Sequence, residues 1–341
     1  MSKRGGELTP IGDLLTSRVI KRGSRNVPTP IQQRLIDTAA LEPDEPRSIL
    51  YQHAVLCQTC LPYRDPGDEI REWQRVNGSV HLEVIAGKAM HPELGRLVLV
   101  GLPFGPKARL VLVYINQRAL ITQSPEIEMD DSLTRFVHRV LKLASHGRNI
   151  RTVKEQLARL AAASIRLGVV RDGHSITIHS HIVSQFDIWW PKDERQHVLW
   201  PSSVRLSLDY FQSLLSQAVP LDESHIGALS HNAMALDIYA WLAQRLHRVP
   251  VGKPTKISWS ALHFQFGQGY GRLDNFRRVF TTTLKEVLAL YRAARIDLHD
   301  ARGTAQPKLV NGKFVLREPR AKGLTLYHSP PPIKKLLIAA T

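Results

Sequence analysis

Cysteine is nearly absent: the chain has two in 341 residues, Cys57 and Cys60, in a single Cys-x-x-Cys. That scarcity excludes a disulfide framework and suits a reducing compartment. One pair, with no second pair and no histidines at ligand spacing nearby, cannot close a structural zinc site. A thioredoxin-like use needs a βαβ setting that the flanking sequence lacks, so the thiols read as half-buried packing residues on a helix. Long apolar runs are absent too. No stretch approaches the ~20 residues of a membrane-spanning helix, and the polar start Met1–Gly6 lacks the hydrophobic segment of a secretory signal. The expectation is a cytoplasmic protein with no membrane partner. Acidic residues are few: 30 Asp and Glu stand against 46 Lys and Arg, for a net charge of +16 and a pI near 10.1. Such an excess implies a polyanionic partner, nucleic acid before an anionic surface.

Catalytic signatures are also missing. There is no Gly-x-x-x-x-Gly-Lys-Ser/Thr loop, and Gly267-Gln268-Gly269-Tyr270-Gly271 has neither the preceding strand nor the glycine spacing of a dinucleotide site. An enzyme that nicks DNA through a tyrosine needs a histidine pair for a metal. His179-Ser180-His181 is the nearest approach, although strand histidines are more often simply exposed. Glu126, Glu128, Asp130 and Asp131 form a short acidic run better explained by helix entry than by a two-metal centre. The sequence therefore predicts no catalytic residue, no cofactor and no metal.

What is present is concentrated between residues 231 and 318. Ala235, Leu236, Ile238, Tyr239, Trp241, Leu242 and Leu246 recur at helical spacing. A second helix begins near Ser258, with Trp259, Leu262 and Phe266 on one side. Three glycines, 267, 269 and 271, allow a change of direction before a third helix from about Arg272 to Arg292. In that third helix Phe276, Phe280, Leu284, Val287 and Tyr291 form one core-facing stripe. Arg272, Asp274, Asn275, Arg277, Arg278, Thr281, Thr282 and Lys285 make the polar complement, and a helix of this kind fits the major groove of DNA. Ile296–His299 and Lys313–Leu316 read as strands flanking a wing, Asp300–Gly312, whose Arg302 and Lys308 suit phosphates. Over residues 251–320, 13 Lys and Arg face 5 Asp and Glu. A charge run alone is usually a solvated surface, but the order helix, turn, basic helix, wing favours DNA recognition.

The same order recurs earlier in weaker form. Ser132 opens a helix through Phe136, Val137 and Leu141, Gly147 marks a turn, and Ile150–Ala163 follows as a helix with Val153, Leu157 and Leu160 inward. Strands at Ile165–Val170 and Ser175–Ile182 meet at Asp172-Gly173. Arg148, Arg151, Thr152, Lys154 and Arg159 are its candidate DNA contacts, although a purely structural or dimerising role competes for this copy. Before it, Ser48–Leu61 reads as a helix, Glu72–Val76 and Ser79–Ala86 as a hairpin turning at Asn77-Gly78, Arg96–Gly101 as a strand, and Ala108–Ile121 as a helix. Leu206–Leu215 reads as a helix, and Val219–Asp222 opens another with Asp222 as its N-cap. Tryptophans 189, 190 and 200 beside prolines suggest an inter-domain seam. The reading is an α+β chain of tandem winged helix-turn-helix domains with flexible tails. Residues 1–46 form a flexible N-terminal region with a short helix allowed at Ile31–Ala40. Residues 47–187 form an N-terminal winged-helix-like domain with a preceding β-hairpin, 188–320 the C-terminal DNA-binding domain, and 321–341 a C-terminal tail.

Several stretches carry a family likeness: Leu102-Pro103-Phe104-Gly105 with the following helix, Phe186–Pro191 with its paired tryptophans, Ala235–Arg245, Ile257-Ser258-Trp259 and Gln265-Phe266-Gly267. In that order, over roughly residues 100 to 300, the chain resembles the plasmid-encoded RepA-type replication initiators. The resemblance implies a bacterial protein that binds repeated double-stranded origin sequences, helps open the duplex and recruits the host replication initiator and replicative helicase. It also implies monomers at the origin and a homodimer when the protein represses its own gene. Charge and periodicity reach only a two-module DNA-binding protein, so a winged-helix transcriptional repressor and, less favoured, a relaxase-like nicking initiator stay open.

Overall fold

The computed structural model describes residues 28–41, 48–91, 95–128, 137, 147–171, 174–186, 203–299, 308–310, 313–315 and 323–333. Helix α1, Pro30–Ala39, starts on a reciprocal cap: the Thr29 hydroxyl accepts from the Gln32 amide, and the Gln32 side chain accepts from the Thr29 amide. Pro30 sits where no amide hydrogen is needed. The short helix allowed at Ile31–Ala40 is thus present, starting one residue earlier, at Pro30. Strand β1, Ile49–His53, and the short helix α2, Ala54–Gln58, replace the single helix expected over Ser48–Leu61.

Strands β2, Glu72–Asn77, and β3, Val80–Ile85, form the expected hairpin with a shifted turn. Asn77 pairs with Val80, so the loop is Gly78-Ser79, and Gly78 alone takes positive φ, +59°. That is the pattern of a II′ turn, with glycine at its first central position. Among the described residues, strands β4, Lys88–His91, and β5, Arg96–Leu99, pair only with each other, leaving Leu97 and Leu99 exposed.

Helix α3, Gly105–Thr122, is buried on nearly every side and ends at Gln123 in a left-handed conformation. Strand β6, Glu126–Glu128, follows. Helix α4, Gly147–Ala162, begins at the glycine expected to mark a turn. Strands β7, Ser164–Arg171, and β8, His174–His181, join the first hairpin in an antiparallel sheet of order β2-β3-β7-β8. Strands β9, Val183–Phe186, and β10, Ser203–Leu206, pair together, and β10 also pairs with β6. Of the helix expected from Ser132 only the buried Val137 is described, and the tryptophans at 189, 190 and 200 lie outside the described residues.

Helix α5, Leu208–Gln217, is capped by Ser207. Strand β11, Ala218–Asp222, occupies the stretch expected to lead into a helix capped by Asp222. It pairs antiparallel with β1, Leu50 opposite Leu221. Local periodicity does not reveal a pairing between segments this distant in sequence. Asp222 does cap the next helix, α6, Glu223–Leu229, accepting from the amides of Ser224 (2.8 Å) and His225 (3.3 Å). Helix α7, Ala233–Arg245, is buried along almost its whole length.

The last part of the chain is strand β12, Thr255–Ser258; helix α8, Trp259–Phe266; helix α9, Leu273–Leu290; and strands β13, Ile296–Leu298, β14, Lys308–Val310, β15, Lys313–Val315, and β16, Gly323–Leu326. Here the expected pairing is corrected. β13 does not pair with the strand at 313–315; it pairs with β16, which also pairs with β12, and β14–β15 is a separate hairpin carried between them. Residues 323–326, expected in a flexible tail, are a fully buried strand.

One buried core runs through the described chain, with α3 packed against β1 and α7. The division expected at 187/188 separates β1 from β11 although they share a sheet. Helix α1 rests on α6 and α9: Leu35 is buried, Arg34 Nη1 donates to Ser230 Oγ (3.3 Å), and Arg292 donates to the Ala39 carbonyl.

Candidate nucleic-acid interface

The α8–turn–α9 unit is assembled from aromatic residues. The Ser258 hydroxyl accepts from the Ala261 amide (3.1 Å) and fixes the start of α8, placing Trp259 inside. Its indole meets Phe276 and Phe280 edge-on at centroid distances of 6.4 and 5.9 Å, and Phe266 lies 5.5 Å from Phe280. Buried side chains of this size stabilise by roughly 1.5–3 kcal/mol each, so the angle between the two helices is set by packing. Two of the three turn glycines are required by geometry. A Cβ at Gly267 would come within 2.5 Å of the His263 carbonyl oxygen, and Gly269 has φ +83°; Gly271 has open space and needs neither. The His263 ring closes the turn by donating through Nε2 to the Tyr270 carbonyl (2.8 Å).

This packing leaves a polar face on α9. Asp274, Asn275, Arg278, Thr282 and Lys285 are exposed on it and Arg272 just before it, Arg277 and Thr281 are half-buried, and Phe276, Phe280, Leu284 and Val287 are buried. Arg272 and Asp274 form a two-bond ion pair at 3.0 and 2.7 Å, which holds the Asp274 carboxyl below its ordinary value. A carboxylate in the first turn also complements the positive end of the helix. Arg278 Nη2 donates to Asn275 Oδ1 (2.9 Å), and the Arg277 guanidinium lies 5.1 Å over the Trp259 ring. Lys308 is in β14, and Arg302 lies outside the described residues.

In the earlier copy, Arg148, Arg151, Thr152, Lys154 and Arg159 all lie on α4. Arg151 is exposed; Thr152 and Lys154 are half-buried, and burial pushes the Lys154 ammonium down to about 8. Arg159, expected among the DNA contacts, is turned inward. Its side chain is only 12% exposed, donates to the Leu102 carbonyl (3.1 Å) and Glu155 (2.7 Å), and lies 4.9 Å over the Phe104 ring. It holds α4 on the Leu102–Gly105 motif.

The seam between the two halves was not foreseen. Arg109 on α3 meets Asp237 on α7 through Nε–Oδ1 (2.6 Å) and Nη2–Oδ2 (2.7 Å), and donates further to the carbonyls of Leu61 (2.8 Å), Gly105 (2.8 Å) and Pro62 (3.3 Å). Burial pushes the Asp237 carboxyl up and the facing guanidinium opposes it. Cys57 and Cys60 are fully buried rather than half-buried, and burial pushes the Cys60 thiol up to about 11. Cys60 Sγ donates to the Gln265 carbonyl (3.2 Å), and the Gln265 side chain donates to the Gln58 carbonyl (2.9 Å), so this segment braces the end of α8. Among the described residues no group of three or more His, Cys, Asp and Glu could hold a metal ion, and no helix is long and apolar enough to cross a membrane.

Residues 102–261, from the Leu102–Gly105 motif into α8, match the family described as plasmid encoded RepA protein. This segment belongs to the RepA family. The RepA match takes in α3, α4, α7 and the β12–α8 junction and stops before Gln265-Phe266-Gly267 and α9. No curated protein matches the chain significantly. Two crystal structures of RctB are loosely similar. One, of domains 2 and 3, has a TM-score of 0.43 at 9% identity, covering 90% of this chain and all of that one. Another of the same domains has a TM-score of 0.40 at 9% identity, covering 79% and 85%. Likenesses this loose carry no inference about fold or function.

Proposed function

We propose that this chain, whose residues 102–261 match the RepA family, is a bacterial, cytoplasmic plasmid replication initiator that binds repeated double-stranded origin sequences through two winged-helix units. The units are centred on 47–187 and 188–320, with α1 and β16 joined to the second. The observation that carries the reading is α9. A helix whose one side is locked into an aromatic core while Asn275, Arg278, Thr282 and Lys285 stand exposed on the other has the form of a groove-reading helix. It follows a helix and a tight turn and is followed by the edge of a small antiparallel sheet, the order of a winged helix-turn-helix. The net charge of +16 supplies the sequence-independent attraction to phosphates.

On this reading Arg272, Asp274, Asn275, Arg277, Arg278, Thr281, Thr282 and Lys285 form the main interface. Arg302 and Lys308, in the segment between β13 and β15, are the proposed phosphate contacts, and Arg148, Arg151, Thr152 and Lys154 form a second, weaker contact. Two unequal modules in one chain suit an asymmetric direct repeat, since they can occupy successive major grooves about 10 base pairs apart. Opening of the duplex, recruitment of the host initiator and helicase, and repression of its own gene by a homodimer follow from the family reading; no catalytic step or cofactor is required. The test is binding to duplexes tiled across the DNA flanking its own gene. Selective binding of a repeated element supports the proposal, and equal affinity for every tile refutes it.

A further inference from the structure

We infer that Arg278, braced by Asn275, is the base-reading arginine of α9, and that the adjacent Arg277 is a backbone-contacting residue held in place by Trp259. This rests on the reading of α9 as a DNA-recognition helix. In the sequence the two arginines are interchangeable; around the helix axis they are not. At 3.6 residues per turn Arg278 stands roughly 200° from Phe276 and again from Phe280, opposite the buried stripe. That line of a recognition helix goes deepest into the major groove. Arg277 stands roughly 100° from Phe276, on the flank. It is half-buried, and its guanidinium lies over the indole of the first residue of α8. In helix-turn-helix docking the helix before the reader crosses the sugar–phosphate backbone, so a cation held on that flank meets phosphate rather than base edges.

The side-chain states point the same way. Arg278 is exposed, and its guanidinium carries five donors, of which Nη2 gives one to Asn275 Oδ1 one turn earlier. That bond fixes the plane of the fork while further donors face outward, as a bidentate contact to guanine O6 and N7 needs. Holding a long side chain in one geometry before binding also removes part of the ordering cost of the complex. Arg277 has a rigid platform instead, because Trp259 is wedged edge-on between Phe276 and Phe280. Arg272, the third arginine, is turned onto Asp274, so its charge is locally compensated.

The experiment is selection from a library of randomised duplexes, sequenced after binding to the full chain and to Arg277→Ala, Arg278→Ala and Asn275→Ala, each first checked by thermal melt. Arg278→Ala is expected to flatten one G·C position, at which a wrong base costs the unaltered chain about 5- to 150-fold. Asn275→Ala should blunt the preference at that same position. Arg277→Ala should leave the base preferences unchanged, weaken all duplexes alike and reduce the slope of log K against log salt by about 1. Base preferences flattened by Arg277→Ala, or left sharp by Arg278→Ala, would overturn the assignment while leaving α9 as the reader. A full chain that selects no motif at all would overturn the recognition-helix reading itself, and the assignment with it.

Discussion

Replacing Asp237 by alanine would strand the Arg109 guanidinium at the contact between α3 and α7. Both side chains are buried, and two of the five Arg109 hydrogen bonds end on the carboxylate. An arginine does not shed its proton in a protein, so the charge would stay, served only by the carbonyls of Leu61, Pro62 and Gly105. Breaking one side of such a buried pair costs about 3–5 kcal/mol, whereas replacing both partners by apolar residues of similar volume is often neutral or stabilising. Asp237→Ala should therefore lose about 3–5 kcal/mol in urea unfolding, and the double variant Arg109→Met, Asp237→Leu should recover most of it. An Asp237→Ala loss below about 1 kcal/mol, or a double variant as unstable as the single, would refute the claim that the pair is a buried, coupled charge pair.

His53 should make the fold acid-sensitive. Its Nδ1 accepts from the Val55 amide (3.2 Å), its Nε2 faces Ser213 Oγ (2.9 Å), and burial lowers its pKa to about 4. The unfolded chain takes up the proton at about 6.5 and the fold only near 4, so up to about 3 kcal/mol of stability should drain away as pH falls through that window. His53→Gln should flatten the loss measured by urea unfolding at a series of pH values. Phe280→Ala should cost roughly 3–5 kcal/mol, visible in a thermal melt, and abolish DNA binding by loosening the aromatic cluster. Binding to duplex DNA should be steeply salt-dependent, with log K falling by roughly 0.9 per log salt for each of about 6–10 phosphate contacts, and a flat anisotropy titration series would remove the electrostatic part of the account. The purified chain should neither nick supercoiled DNA nor hydrolyse ATP with or without divalent metal, and nicking lost on changing His179 or His181 would revive the relaxase reading.

Elements with a strong local signal were legible. The stripe Phe276, Phe280, Leu284, Val287 predicts α9, and Ser258 before Trp259 marks the start of α8, because caps and helical spacing are written in neighbouring residues. Strands that depend on distant partners were not. β1 and β11 find each other across the chain, β12 and β16 are four residues long, and β4 was not foreseen at all, so none gives a period to read. The polar face of α9 follows from its apolar face, but charge counting could not say where the donors of Arg159 go. They go to the Leu102 carbonyl and to the Glu155 and Asp65 carboxylates. A signal for the Arg109–Asp237 seam did exist: Asp237 is the lone acid in the apolar run Ala233–Gln244, and a carboxylate on a helix buried all round requires a partner.

The central claim is that α9 reads a repeated origin element, and footprinting on the DNA flanking the chain's own gene tests it most directly. The account predicts protected repeats spaced by whole helical turns, and loss of that protection by a folded Arg278→Ala, Lys285→Ala double variant. Repeats protected equally well by that variant, or no discrete protection at salt concentrations that suppress non-specific binding, would contradict it.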